Sequence, residues 1–268
     1  MSLAARVWPP PHRVVQALHA EWTKFRSTPG PAWLLAGAVA LTVAVGAATA
    51  SAAQCSSVVC GQDPAKVSFT GIYPGQAVVA VAGVLAISDE YSTGMIKLSL
   101  SAVPRRLTWF FAKAAMLTAP VLAAALAVAG SALAGWLILR GHGFSPAHGY
   151  ASLVAGADIR AAADAVLYLT LIALLSLGVA TAVRDSATAI GLVLGLLYLV
   201  PVAAAVSSDT TISRHLEQIG PLSAGLDVQA TTGMKSLALT PWQGLGVVAL
   251  WTTGALLLGA LILKFRDA

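Results

Sequence analysis

Hydrophobic and polar positions follow one another along this chain in long blocks, and the apolar blocks have the length of membrane spans. A hydrocarbon core of about 30 Å takes roughly 20 apolar residues of α-helix. Six stretches reach or approach that length, at 32–53, 72–87, 108–139, 165–183, 187–206 and 242–263. The second is short, while the third can tilt, kink at Pro120 or run past the bilayer. The expected fold class is all-α: a polytopic membrane protein with six transmembrane helices plus amphipathic interfacial helices.

The interfacial helices come from two segments where the period changes. Before the first run, Val14, Leu18, Trp22 and Phe25 share one side of a helix, with Arg13, His19 and Lys24 elsewhere. Between the second and third runs, Tyr91, Met95, Leu98 and Ala102 recur at helical spacing, with Glu90, Thr93, Lys97 and Ser101 on another face. This second pattern predicts one short helix over about 89–103, ended near Pro104.

Composition narrows the class further. Of 268 residues, 57% are hydrophobic and 10% charged, and no stretch outside the apolar runs could bury an independent soluble core. One membrane domain is expected over 32–263, flanked by an N-terminal segment, 1–31, and a short tail, 264–268. The net charge of +5 reads as orientation, not nucleic-acid binding, because Lys and Arg cluster at the ends of the apolar runs. With the N-terminus inside, eleven basic residues lie on the inner side and five on the outer: Lys66, Arg140, Arg160, Arg214 and Lys235. Both termini are thus expected in the cytoplasm, with the chain in the inner (plasma) membrane. The first run lies behind some thirty polar and basic residues and is expected to persist as a helix, not to be cleaved as a signal peptide.

Candidate chemistry is sparse. None of the five histidines falls in a predicted span, and HExxH, GxSxG and Gly-rich phosphate-loop motifs are missing, so no catalytic residue, cofactor or metal site is assigned. His142, His148 and Asp158 match no strong ligand spacing and read as solvated loop residues. The spans carry almost no charge, which disfavours an ion-coupled carrier; Lys113 is placed to snorkel to the inner interface, and Arg160 with Asp164 forms an i,i+4 pair. Cys55 and Cys60, on the outer side in this topology, form either a short-range disulfide or two free thiols. Gly191 and Gly195 make a GxxxG in the fifth run, read chiefly as internal helix packing and secondarily as a subunit interface.

Four stretches together resemble the permease subunit of an ABC-2 type exporter, in its six-helix actinobacterial form. They are Glu21-Trp22-Thr23-Lys24-Phe25-Arg26, Asp89-Glu90-Tyr91-Ser92-Thr93-Gly94-Met95-Ile96, Ala102-Val103-Pro104-Arg105-Arg106 and Phe265-Arg266-Asp267-Ala268. The resemblance implies a type V-like transmembrane domain whose 89–103 segment is a coupling helix docking on a separate ABC ATPase. Glu90, Tyr91, Gly94, Met95 and Lys97 would form the ATPase-coupling surface, and Trp22, Lys24, Arg26, Arg105 and Arg106 would anchor at the membrane interface. It also implies outer or re-entrant helices over 207–240 and a second permease chain, a homodimer in a two-plus-two complex. ATP and Mg would sit on the partner ATPase. Glu90→Ala or Gly94→Trp is expected to weaken coupling while leaving the membrane domain folded. The alternatives are a non-transporting scaffold, immunity or sensor subunit, and an ion-coupled carrier or channel.

Overall fold

A computed structural model describes residues 11–27, 29–53, 63–102, 105–141, 156–231 and 239–265. Among these residues every regular element is helical. In chain order they are α1 (Pro11–Ser27), α2 (Pro29–Ala52), α3 (Pro64–Phe69), α4 (Ile72–Ser92), α5 (Met95–Ala102), α6 (Arg106–Gly141), α7 (Gly156–Val183), α8 (Ser186–Val206), α9 (Thr210–Ile219), α10 (Pro221–Leu226), a 3-10 turn at Asp227–Gln229, and α11 (Pro241–Phe265).

Local chemistry fixes most of these boundaries. Proline occupies the first position of α1, α2, α3, α10 and α11, where its missing N–H costs nothing. Asp63, Asp185 and Asp209 cap α3, α8 and α9, accepting hydrogen bonds from Ala65 N, Thr188 N and Thr211 N at 3.1, 2.7 and 2.8 Å. The Asp185 carboxyl is held below the usual carboxylate range by its hydrogen bonds from Thr188. Pro120 lies inside α6, which continues as one helix of 36 residues.

Six of the helices are long and apolar enough to cross a membrane, matching the six apolar runs, and the chain reads as a multi-pass membrane protein. The second span is longer than its apolar run, since α4 carries on through Ser88–Ser92 with Ser88 and Glu90 buried. The expected single helix over 89–103 is therefore corrected. Glu90 and Tyr91 belong to the end of α4, and α5 is a separate helix behind a break at Thr93–Gly94. Gly94 sits there at φ +69, a left-handed conformation that only glycine adopts freely.

At the centre is α7, packed by α4, α6, α8 and α11, with Tyr168, Ile172, Leu175, Leu177 and Ala180 all within 1% of complete burial. Its contact with α11 is backbone-close: a Cβ on Gly178 would lie 2.6 Å from the Ala255 carbonyl carbon, and one on Gly259 2.7 Å from the Gly178 oxygen. Thr252 on α11 closes the seam, its hydroxyl donating to the Leu171 carbonyl at 3.1 Å. The glycines of the GxxxG differ: nothing approaches Gly191, and Gly195 meets only Leu199 of its own helix. Both point away from the bundle, so internal packing is not their role. The apolar stretches of α8 and α11 are only 22% and 17% buried, against 61% for α7.

The bundle has two chemically distinct ends. The α5 end gathers α1, the end of α4, the start of α6, the α7–α8 turn and the end of α11; Arg106 donates to the Leu263 carbonyl at 3.0 Å across it. The α10 end gathers α3, α9, α10, the end of α2 and the start of α7. Within the 207–240 segment α10 is inserted, with Pro221, Leu222, Ala224, Gly225 and Leu226 all buried. Gly225 permits this, because a Cβ there would fall 2.1 Å from the Tyr168 ring.

Candidate functional site

The α5 end holds a cluster of charge that no single segment of sequence contains. Lys113, on the third span, is 6% exposed, so as an isolated cation it would be costly. Its ammonium donates to Glu21 Oε2 at 2.8 Å, to Glu90 Oε1 at 2.7 Å and to the Ala86 carbonyl at 3.1 Å. Lys24 of α1 donates to Glu21 Oε1 at 3.1 Å, Glu90 Oε1 at 3.0 Å and Ser99 Oγ at 3.0 Å. Ser99 of α5 in turn donates to Glu90 Oε2 at 3.1 Å. Two carboxylates and two ammoniums thus join α1, α4, α5 and α6.

Electrostatics explain why all four are needed. A buried unpaired charge is costly, so Lys113 brings in carboxylates, and two carboxylates side by side require a second cation. Burial pulls the Lys24 ammonium down, but Glu21 and Glu90 together outweigh it and hold its pKa above the ordinary lysine value. Lys113 also lies 5.5 Å from the Trp109 ring centroid, an additional cation–π contact.

This geometry corrects two expectations. Lys113 does not snorkel to an interface; it is neutralised inside the protein. Glu90, expected on an exposed coupling surface, is 7% exposed and accepts three hydrogen bonds from Lys24, Lys113 and Ser99 inside the protein. Glu90→Ala is therefore expected to disturb the membrane domain itself, where the sequence alone predicts that the fold is kept.

The remaining residues singled out above divide between surface and interior. Met95 is 44% and Leu98 67% exposed, and Gly94 and Lys97 also face outward. Tyr91 is half-buried beneath Arg184, whose guanidinium lies 5.5 Å from the ring centroid and whose own backbone is left-handed at φ 66. Trp22 and Arg105 are exposed, while Lys24 and Arg106 turn inward to the partners given above. The Arg26 side chain, Cys55, Cys60, His142, His148 and the Asp158 side chain lie outside the described residues.

Sequence reasoning missed Glu21 and Lys113 as one unit, although a signal existed. A lysine inside an apolar run calls for a carboxylate partner. Few of the eleven acidic residues lie at the matching ends of their helices, and Glu21 and Glu90 are two of them.

Beside the cluster opens a cavity of about 380 Å³ between α1, α2, α4 and α6, walled by Leu35, Ala82, Leu85, Met116 and Leu117 and bordered by Glu21, Lys24, Asp89, Glu90 and Lys113. Among the described residues no group of His, Cys, Asp and Glu could hold a metal ion.

The opposite end is held by smaller, separate links. Asp63 accepts from Thr231 N at 2.6 Å and Thr231 Oγ1 at 2.8 Å, and Lys66 faces Asp227 at 3.6 Å. Arg160 pairs with Asp164 at 3.1 Å, as their spacing predicts, and also donates to the Ala230 carbonyl at 2.7 Å. Deeper in, Tyr168 donates to Gln76 and Tyr198 to the Tyr73 carbonyl.

No protein-family model and no curated protein matches the chain.

Proposed function

We propose that this chain is the transmembrane permease subunit of an ABC-2 type exporter, coupled to ATP hydrolysis on a separate ATPase subunit. The observation that carries the reading is the attachment of α5. It presents Met95, Lys97 and Leu98 outward, yet Ser99 on the same short helix is tied through Glu90 and Lys24 to Lys113 of a membrane span. A force applied to the exposed face of α5 would reach α1, α4 and α6 together. That is what a coupling helix requires.

Charge and surface support the rest of the assembly. Among the described residues the α5 end carries Lys24, Lys97, Arg105, Arg106, Lys113, Arg184 and Lys264, against Lys66, Arg140, Arg160 and Arg214 at the other. By the positive-inside rule this bias supports an orientation with the α5 end and both termini in the cytoplasm and the chain in the plasma membrane. The outward Gly191 and Gly195 of α8 suit close approach of a second permease chain, giving two permeases and two ATPases with the path between the permeases. ATP and Mg belong to the partner ATPase.

Affinity purification of the tagged chain from its native membrane in mild detergent tests the reading. A near-stoichiometric ABC ATPase, with ATP turnover in the eluate, is the expected result. Recovery of the intact chain alone under several mild conditions would move the assignment to a non-transporting scaffold.

One observation favours a second reading. Glu21, Glu90 and Lys113 place ionisable groups within the bundle, where ion-coupled carriers keep theirs. Gradient-driven uptake by vesicles containing this chain and no ATPase would establish that alternative.

A further inference from the structure

The cavity beside the ion cluster has an imbalance of hydrogen-bonding capacity that specifies what it can hold. Every donor on its two ammoniums is used: Lys113 spends three on Glu21, Glu90 and the Ala86 carbonyl, and Lys24 spends three on Glu21, Glu90 and Ser99. The acceptors are not used up. A carboxylate offers about four lone-pair sites, while Glu21 receives two hydrogen bonds and Glu90 three. Asp89, exposed at the rim, has no side-chain hydrogen bond or ion pair among the described residues. Three carboxylates face two ammoniums, so the lining carries one net negative charge.

The rest of the cavity is apolar. It follows α4 from Ser92 at the rim to Ala82 inside, ten residues or roughly 15 Å of helix. Leu35, Leu85, Met116 and Leu117 line that depth. An anion has no free donor to bind here, and a wholly apolar molecule leaves the free acceptor sites of the buried Glu21 and Glu90 without a partner.

We propose that this cavity binds an amphipathic primary amine: the protonated amine sits between Asp89 and the free lone pairs of Glu21 and Glu90, and the apolar body lies along α4 and α6. The volume of about 380 Å³ falls in the range of small-molecule sites. The amine can come from an aminophospholipid headgroup or from a free amphiphile, since both present the same ammonium donors. Such a site belongs to one chain and needs neither an ATPase nor a second copy.

The test uses the purified full-length chain in detergent, titrated with decylammonium, decyltrimethylammonium or decanoate, with the rise in unfolding temperature as readout. Decylammonium should bind saturably, decyltrimethylammonium about tenfold more weakly for want of N–H donors, and decanoate not at all. Asp89→Asn should weaken decylammonium binding about tenfold; its side chain is exposed, so the variant keeps the fold. Ala86→Leu, which fills the cavity, should abolish binding. Nanodiscs separate the sources. If an aminophospholipid is the occupant, decylammonium binding weakens as phosphatidylethanolamine replaces phosphatidylcholine, and native mass spectrometry finds that lipid retained by the wild type and lost from Asp89→Asn. If binding is indifferent to the lipid, the occupant is a free amine. Equal binding of the three amphiphiles, no saturable binding of decylammonium, or unchanged affinity in Asp89→Asn would overturn the proposal.

Discussion

The two ends of the bundle both use charge, but they use it differently. At the α5 end, Glu21, Glu90 and Lys113 are 7%, 7% and 6% exposed and each contacts at least two partners. At the α10 end, Lys66 reaches Asp227 across 3.6 Å with its own side chain 45% exposed. Here a short helix is held down mainly by apolar burial of α10 against Tyr168, and the buried Asp164 is paired within its own helix by Arg160, one turn away. The contrast teaches that burial and partner number, not the count of ion pairs, decide where charge organises a membrane fold.

The comparison predicts its own ranking of effects. Glu90→Ala leaves Lys24 and Lys113 facing one carboxylate and should destabilise by about 3–5 kcal/mol, the cost of breaking a buried pair; unfolding monitored by size exclusion after heating in detergent measures it. Pairing Glu90→Gln with Lys113→Met restores neutrality around Glu21 and Lys24. The double variant should therefore be more stable than the sum of the singles, whereas additivity would mean the four groups are not one unit.

Next in size is Gly225→Ala, which drives a methyl into the Tyr168 ring and should cost about 1–3 kcal/mol, detectable as faster proteolysis of the 207–240 segment. Gly94→Ala places a side chain at φ +69 in open space, so strain alone should cost about 1 kcal/mol. Lys66→Ala should cost about 0–1 kcal/mol, because the pair is exposed; a larger loss would erase the distinction between the ends.

Acidity probes the same end. Burial pushes the Asp227 carboxyl up, Lys66 opposes it, Glu217 adds to it, and the net direction is upward. A carboxyl whose pKa is higher folded than unfolded favours folding when protonated, and that contribution fades as pH rises through the folded value. The α10 end should tighten slightly on acidification through that range, and Asp227→Asn should remove the dependence.

The spans were legible because a bilayer imposes a length that apolar runs reveal directly. Helix ends were legible where Pro64, Asp185 or Asp209 marks them. The ion cluster was not, because its partners lie 23, 66 and 92 residues apart. Periodicity also ran Tyr91, Met95 and Leu98 together as one face, without the left-handed turn at Gly94 between them. A deeper reason concerns α1. Its apolar side was expected to define the helix, yet Trp22 is 44% exposed and Glu21 is buried. A helix at a membrane can turn its apolar residues to lipid and its charge to the protein, the reverse of the soluble rule.

The most direct test of the central claim is photo-crosslinking from the exposed face of α5. A benzophenone amino acid at Leu98, 67% exposed and outside the ion cluster, should capture an ATP-binding subunit in native membranes. The same probe at Val206, 80% exposed at the opposite end, should not. Capture from Val206, or only lipid adducts from Leu98, would contradict the account.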